Sequence, residues 1–360
     1  MKKTSRRKLR IGQISPINLP VPPKKYGGTE KIVYWLCQEF HKRGHKVFLF
    51  GTGNSDVNCK IVPIVEKGLW ETKQKKSNHY YNVEMAIVAQ KARELKLDIL
   101  HDHLGPSALP LTGLDIPMIH TLHVPFKGED KVWAYNRLNS KLVSISNNQR
   151  KPAPKLNYVK TIYNGIDLDN FTFNPNPKDY FIWVGELSPR KGILEVIQIA
   201  KKAKLKLIII GRIPPTRQGG DYRFFKKYVE KELNKENIKY LGEFTRKTIV
   251  KYYRNAKAFL YPLQWEEPFG LTMAESMACG TPVIAFRRGS VPEVINNGKT
   301  GFVIKPTDKD GKVNYKEFIS AIKNLDKIKR QDCRKWVEDN FSIKKMIDDY
   351  EDLYYKLVKK

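Results

Sequence analysis

Two glutamates, Glu267 and Glu275, stand eight positions apart around Pro268-Phe269-Gly270, and their spacing suggests a site for a phosphorylated, hydroxyl-rich ligand. Gly270 permits a tight turn, and Leu271, Thr272 and the residues to Ala274 then open a short helix that Gly280 and Pro282 close. The first amides of such a helix have no intrahelical acceptor, and the positive end of its dipole coincides with them, so the turn Phe269 to Thr272 is fitted to an anion. The two carboxylates flanking it are acceptors for sugar or ribose hydroxyls. The same residues permit a plainer reading. Thr272 and Glu275 have the spacing of a capping box, in which Glu275 serves only the helix, and Pro282 to Ala285 reads as a buried strand.

Other candidates recur at the junctions of elements. Gly27-Gly28 opens a helix where amides can approach a diphosphate, or simply forms a tight turn. His123 follows an apolar run and is placed to donate a hydrogen bond from the carboxyl end of a strand, or to serve as a core histidine. Arg190 and Lys191 sit before a helix, where they could clamp phosphate or form a solvated basic turn. His101-Asp102-His103 has alternate spacing but no evident third ligand, so it reads as a strand end, and no metal site is expected. Glu293 reads as a helix-start carboxylate.

The elements that must position these groups alternate in type. Short apolar runs at 9–14, 46–50, 98–101, 117–121, 141–145, 179–184, 206–210, 238–241, 258–261 and 282–285 read as strands. Amphipathic stretches at 29–43, 79–95, 193–201, 224–233 and 248–255 read as helices. This alternation predicts an α/β protein with parallel sheets. The Pro- and Asn-rich run from Lys151 to Pro177, which holds a single short strand-like piece at 158–163, marks a junction. It gives an amino-terminal domain over 1–168, a second over 169–342 and a closing helix over 343–360. In doubly wound sheets ligands bind beyond the carboxyl ends of the strands, so the site is expected in the cleft between the domains.

The stretch from Glu267 through Glu275-Ser276-Met277-Ala278-Cys279-Gly280-Thr281-Pro282-Val283 resembles the signature of family 4 of the retaining nucleotide-sugar glycosyltransferases, with Ser276 in place of the usual Ala. The resemblance extends from Gly27-Gly28 to the final helix. It implies the GT-B fold of two facing Rossmann-like domains, with the last helix packing back on the first. It also implies that Glu267 contacts the donor sugar, Glu275 the ribose, Gly28 the diphosphate and acceptor, and that His123 is the active-site histidine. The turns at Gly211-Arg212 and Gly242 would frame the base, and Lys191 would bind phosphate. At Gly185-Glu186 the chain departs from the family's Gly-Arg, which leaves Arg190 as the available second cation.

The expected activity is retaining transfer of a hexose from a nucleoside diphosphate sugar to a hydroxyl of a glycan, lipid-linked sugar or small molecule. Lys191, Arg190 and the helix amides would take the place of a metal, and the nucleotide sugar is a co-substrate with no further cofactor. A sugar-nucleotide-binding protein without catalysis is the alternative that Glu186 raises. The 360 residues carry a formal charge of +29, and six of the first ten are Lys or Arg. That charge raises nucleic acid as a rival partner, but no helix-turn-helix or Cys/His finger accompanies it. The cluster Lys2, Lys3, Arg6, Arg7, Lys8 and Arg10 points instead to an anionic membrane surface. Without a secretory apolar core or a membrane-length apolar run, a cytoplasmic, peripheral location is expected, and the four scattered cysteines read as reduced.

Overall fold

The computed structural model describes residues 6–72, 77–216, 219–235 and 237–358. They divide into two compact units, Met1–Tyr163 with Lys344–Lys360, and Asn164–Ile343. The chain thus enters the second unit five residues before the junction expected after Leu168. The cause is local: Ile166 donates its amide to Phe341 O at 2.7 Å, and a Cβ on Gly165 would lie 2.6 Å from Ile343 Cα, so 164–166 is tied to the end of that unit.

In the first unit, strands β1 (Arg10–Ile14), β2 (Lys46–Thr52), β3 (Lys60–Val65), β4 (Ile99–Asp102), β5 (Met118–Thr121), β6 (Leu142–Ser144) and β7 (Tyr158–Thr161) form one parallel sheet in the order 3-2-1-4-5-6-7. Helices α1 (Gly28–Lys42), α2 (Asn78–Glu94) and α3 (Glu129–Arg137) belong to the crossovers. The order reverses between β1 and β4, and the carboxyl ends of these two strands flank the crevice where such sheets bind ligands. Strand β3 was not legible in the sequence because Pro63 interrupts it, and Pro is tolerated there since β3 is an edge strand.

The helix Ile343–Val358 belongs to the first unit from Lys344 onward. It buries Met346, Tyr350, Leu353 and Tyr354, and Leu357 on the same stripe is half-buried. Arg43 donates to Glu351 at 2.7 Å and Lys160 to Asp349 at 2.7 Å, fixing the helix by its polar flank. Four cations of the basic amino-terminal cluster are engaged with this unit. Arg6 pairs with Asp352, Arg7 forks onto Asp98, Lys8 donates to Arg43 O, and Arg10 donates to Leu95 O. Lys2 and Lys3, like Lys359 at the expected end of the last helix, lie outside the described residues.

In the second unit, β8 (Phe181–Val184), β9 (Leu207–Ile210), β10 (Ile238–Tyr240), β11 (Phe259–Tyr261), β12 (Val283–Phe286) and β13 (Gly301–Ile304) form a parallel sheet in the order 10-9-8-11-12-13. Its helices are α4 (Ile193–Ala203), α5 (Gly219–Phe224), α6 (Arg246–Asn255), α7 (Leu271–Ala278), α8 (Val291–Val294), α9 (Tyr315–Lys323) and α10 (Arg330–Asn340). The helix expected over 224–233 is broken: α5 ends at Phe224, a π-helical turn covers Phe225–Val229, and a 3-10 turn covers Glu230–Glu232. Here the switch in strand order falls between β8 and β11. Phe259, Trp183, Ile209 and Ile284 are fully buried, as expected for a sheet covered on both faces.

At the end of β9 the backbone of Gly211 adopts φ 154°, and a Cβ there would stand 1.6 Å from Gly185 O. Gly211→Ala should therefore lower the stability of the second unit by roughly 2 kcal/mol or more, read as a shift in its urea midpoint. Gly220 is the control and should tolerate Ala, since a Cβ at that position would meet nothing within 4 Å.

Candidate active site

Residues from the segments that follow β8, β9 and β11 meet at the switch point of the second sheet. Glu267, six residues beyond Tyr261, is buried, and its Oε2 accepts hydrogen bonds from Lys191 Nζ at 2.7 Å, Tyr261 OH at 2.7 Å and Trp265 Nε1 at 3.0 Å. Lys191 also donates to Tyr261 OH at 3.0 Å and lies 4.3 Å from the centre of the Trp265 ring. Burial by itself pushes the Glu267 carboxyl up, but Lys191 and the three donors outweigh it and hold the group below the usual carboxylate range. The pair is thus ionised, its carboxylate buried and its half-buried cation fixed by an anion, a phenol and an indole face.

Arg190 and Glu186 extend this cluster. Glu186 is almost wholly buried; its Oε1 accepts from Arg190 Nη2 at 3.0 Å and its Oε2 from Arg212 Nε at 2.7 Å. Arg190 in turn lies over the Trp265 ring at 4.8 Å. The carboxylate at 186 therefore does not leave a gap in positive charge. It binds two guanidiniums, one from the turn after β8 and one from the end of β9.

The turn before α7 has a glycine at its centre. Gly270, at φ 83° and ψ 64°, caps α7, and Leu271 and Thr272 follow as its first two residues, both half-buried. A Cβ on Gly270 would collide with Met273 Cε at 2.3 Å. No side chain caps this helix, and Glu275 lies a turn beyond the start, which overturns the capping-box reading. Glu275 is instead buried and paired with Arg246 at 3.5 Å. Phe269 turns its ring inward, edge-on to Phe341 at 5.4 Å, so only its backbone borders the turn.

In the first unit, Gly28 is the first residue of α1, after Gly27 at its cap. His123, two residues past β5, is half-buried, and its Nε2 lies 2.8 Å from His103 Nδ1. His103 and His101 are both committed to protein partners, His103 to Gln13 at 2.9 Å and His101 to Tyr354 and Thr121 at 2.6 and 2.7 Å. Asp102 accepts from His120 at 2.9 Å. Tyr261, Trp265 and Arg246 were missed as site residues in the sequence, and Arg212 was read only as part of a turn framing the base. Tyr261 and Arg212 stand at or just past strand ends, which is the one signal that could have found them.

The family model "Glycosyltransferase Family 4" matches residues 26–170, and that of "Glycosyl transferases group 1" matches residues 167–336. The chain belongs to the family 4 glycosyltransferases and has the GT-B fold. It is 24% identical over 373 residues to N-acetyl-alpha-D-glucosaminyl L-malate synthase of Bacillus anthracis, covering 92% of this chain and 95% of that one. Among solved structures it is similar to sucrose-phosphate synthase from Thermosynechococcus elongatus, with TM-score 0.79, 18% identity and coverage of 97% and 99%. It is also similar to Anabaena HepE in complex with UDP-glucose, with TM-score 0.73, 17% identity and coverage of 97% and 100%.

Burial drives the His123 pKa down to about 4 and those of His101 and His103 well below the usual histidine value. The unfolded chain takes up these protons near pH 6.5 while the folded chain refuses them, so protonation favours unfolding. Their effect is absent above about pH 6.5 and costs stability as the pH falls from there toward 4. In an NMR titration of the folded protein, His123 should stay neutral to about pH 4; an ionisation near 6.5 would contradict its placement against His103.

Proposed function

We propose that this glycosyltransferase moves a hexose from a nucleoside diphosphate sugar to an acceptor hydroxyl with retention of configuration and without a metal ion. The observation that carries this reading is the half-buried Lys191 held by the buried Glu267 at the switch point, next to the amino end of α7, which no side chain caps. A fixed cation and helix amides stabilise charge as it develops on a departing diphosphate, the service a metal ion gives elsewhere. Arg190 and Arg212, both braced on Glu186, restore the guanidinium that the family pattern carries at 186 and support an active transferase.

Glu267 Oε2 is spent on Lys191, Tyr261 and Trp265, and Oε1 makes no hydrogen bond among the described residues, which suits it to a hydroxyl of the donor sugar. Glu275, freed of any capping duty, is assigned the ribose, and His123 a sugar hydroxyl. The carboxylates of the cluster, Glu186 and Glu267, are each neutralised by cations and are poor nucleophiles. The acceptor therefore attacks on the face the diphosphate leaves, with the diphosphate taking up its proton.

Thermal shift against UDP, GDP and ADP sugars identifies the donor, since saturation at 100 times Kd stabilises by about 2.7 kcal/mol; no shift with any of them would defeat the reading. Turnover should persist in excess chelator, and strict dependence on magnesium or manganese would remove the leaving-group role from Lys191. Glu275→Ala should weaken donor binding at least 10-fold, about 1.4 kcal/mol, in calorimetry. An unchanged donor Kd would leave Glu275 a partner of Arg246 alone.

A further inference from the structure

A single hydrogen-bonded chain runs through the interior of the first unit from the carboxyl end of β5 to the C-terminal helix. Gln13, on β1, donates Nε2 to Tyr354 OH at 3.0 Å, and its Oε1 lies 2.9 Å from His103 Nε2. His103 Nδ1 lies 2.8 Å from His123 Nε2. At the far end Tyr354 OH meets His101 Nδ1 at 2.6 Å, His101 Nε2 meets Thr121 Oγ1 at 2.7 Å, and Thr121 meets Tyr350 OH at 2.9 Å. Gln13, His101, His103, Thr121, Tyr350 and Tyr354 are all buried.

In such a chain the direction of one bond dictates the rest. An amide oxygen only accepts, so the hydrogen between Gln13 and His103 belongs to His103 Nε2. A neutral imidazole carries one N–H, so His103 Nδ1 is an acceptor and the hydrogen it receives belongs to His123 Nε2. Both rings are neutral because burial keeps them so. The one remaining nitrogen of His123, Nδ1, is then a bare acceptor. On the other side, Tyr354 accepts from Gln13 and donates its O–H to His101 Nδ1, leaving His101 Nε2–H to donate to Thr121. The opposite polarity keeps the same contacts only with the Gln13 amide turned over, so it is the orientation of that amide, Nε2 toward Tyr354 and Oε1 toward His103, that selects the tautomers.

We infer that Tyr354 of the C-terminal helix, through Gln13 and His103, is a positioning residue that sets His123 in the Nε2–H tautomer, so that His123 Nδ1 accepts a hydrogen bond from a hydroxyl of the bound sugar. The expectation that His123 donates to the sugar is thereby reversed. Only the identity of the hydroxyl's owner rests on the function proposed above; the tautomer is a property of the free chain. It follows that the last helix sets the chemistry of a strand-end histidine through hydrogen bonds, in addition to packing.

The test is a long-range proton–nitrogen correlation spectrum of the full chain carrying nitrogen-15 histidine at pH 7.5, with the His103 and His123 signals assigned by single His→Asn variants. Both should appear as Nε2–H tautomers with a bare Nδ1; an Nδ1–H signal for His123, or a mixture of tautomers, overturns the inference. Tyr354→Phe keeps the ring and removes the hydroxyl. It should mix the tautomers of His103 and His123 and lower kcat on the order of 10-fold while leaving the donor KM within about 2-fold. Unchanged tautomers in that variant would reduce Tyr354 to packing and also overturn the inference. Because the spectrum needs no substrate, a chain that accepts no nucleotide sugar would refute the proposed donor chemistry without touching this result.

Discussion

The arrangement depends most on keeping Lys191 and Glu267 charged while Glu267 is buried and Lys191 half-buried. Neither ion is tolerable in the interior alone, because an unpaired buried charge costs several kcal/mol. Together, with the Tyr261 hydroxyl and Trp265 indole as further donors and a ring face against the ammonium, they form a rigid charged platform. The segments after β8 and β11 must therefore converge, and the order of strands in the second sheet makes them neighbours. The 3-10 turn Pro189–Lys191 and the glycine-capped start of α7 both follow those strand ends.

On the function proposed above, Glu186 departs from the family pattern yet keeps two guanidiniums at its position. Replacing a cation by a carboxylate in a diphosphate site would ordinarily repel the ligand. Here the carboxylate is buried and paired with two guanidiniums, of which Arg212 supplies the second from just past the end of the next strand. A carboxylate also orients both arginines, which restricts their rotamers before any ligand arrives.

Much of this was legible in the sequence, and the parts that were not have physical reasons. Apolar runs revealed every strand but two, because buried parallel strands are continuous in hydrophobicity; β3 escaped notice through its proline and β13 through the glycine that begins it. The Glu267 to Pro282 segment was legible because its glycine, short helix and two carboxylates are close in sequence. The capping reading of Glu275 could be dismissed only once the helix start was seen at Leu271. Beyond the strand ends at which Tyr261 and Arg212 stand, the sequence carries no signal for their roles or for that of Trp265, since these come from the pairing of strands that are far apart in the chain. The relay from His123 to Tyr354 is less legible still, because its members are scattered from residue 13 to residue 354 and are joined only by the fold.

On the function proposed above, Lys191 is held by Glu267 for the leaving diphosphate and not for the fold alone. Lys191→Met keeps most of the side-chain volume and removes the charge, so turnover measured on protein shown by circular dichroism to be folded isolates the electrostatic role. A loss on the order of 100-fold or more in turnover is predicted. A folded Lys191→Met protein that turns over within a few-fold of the parent would contradict that role.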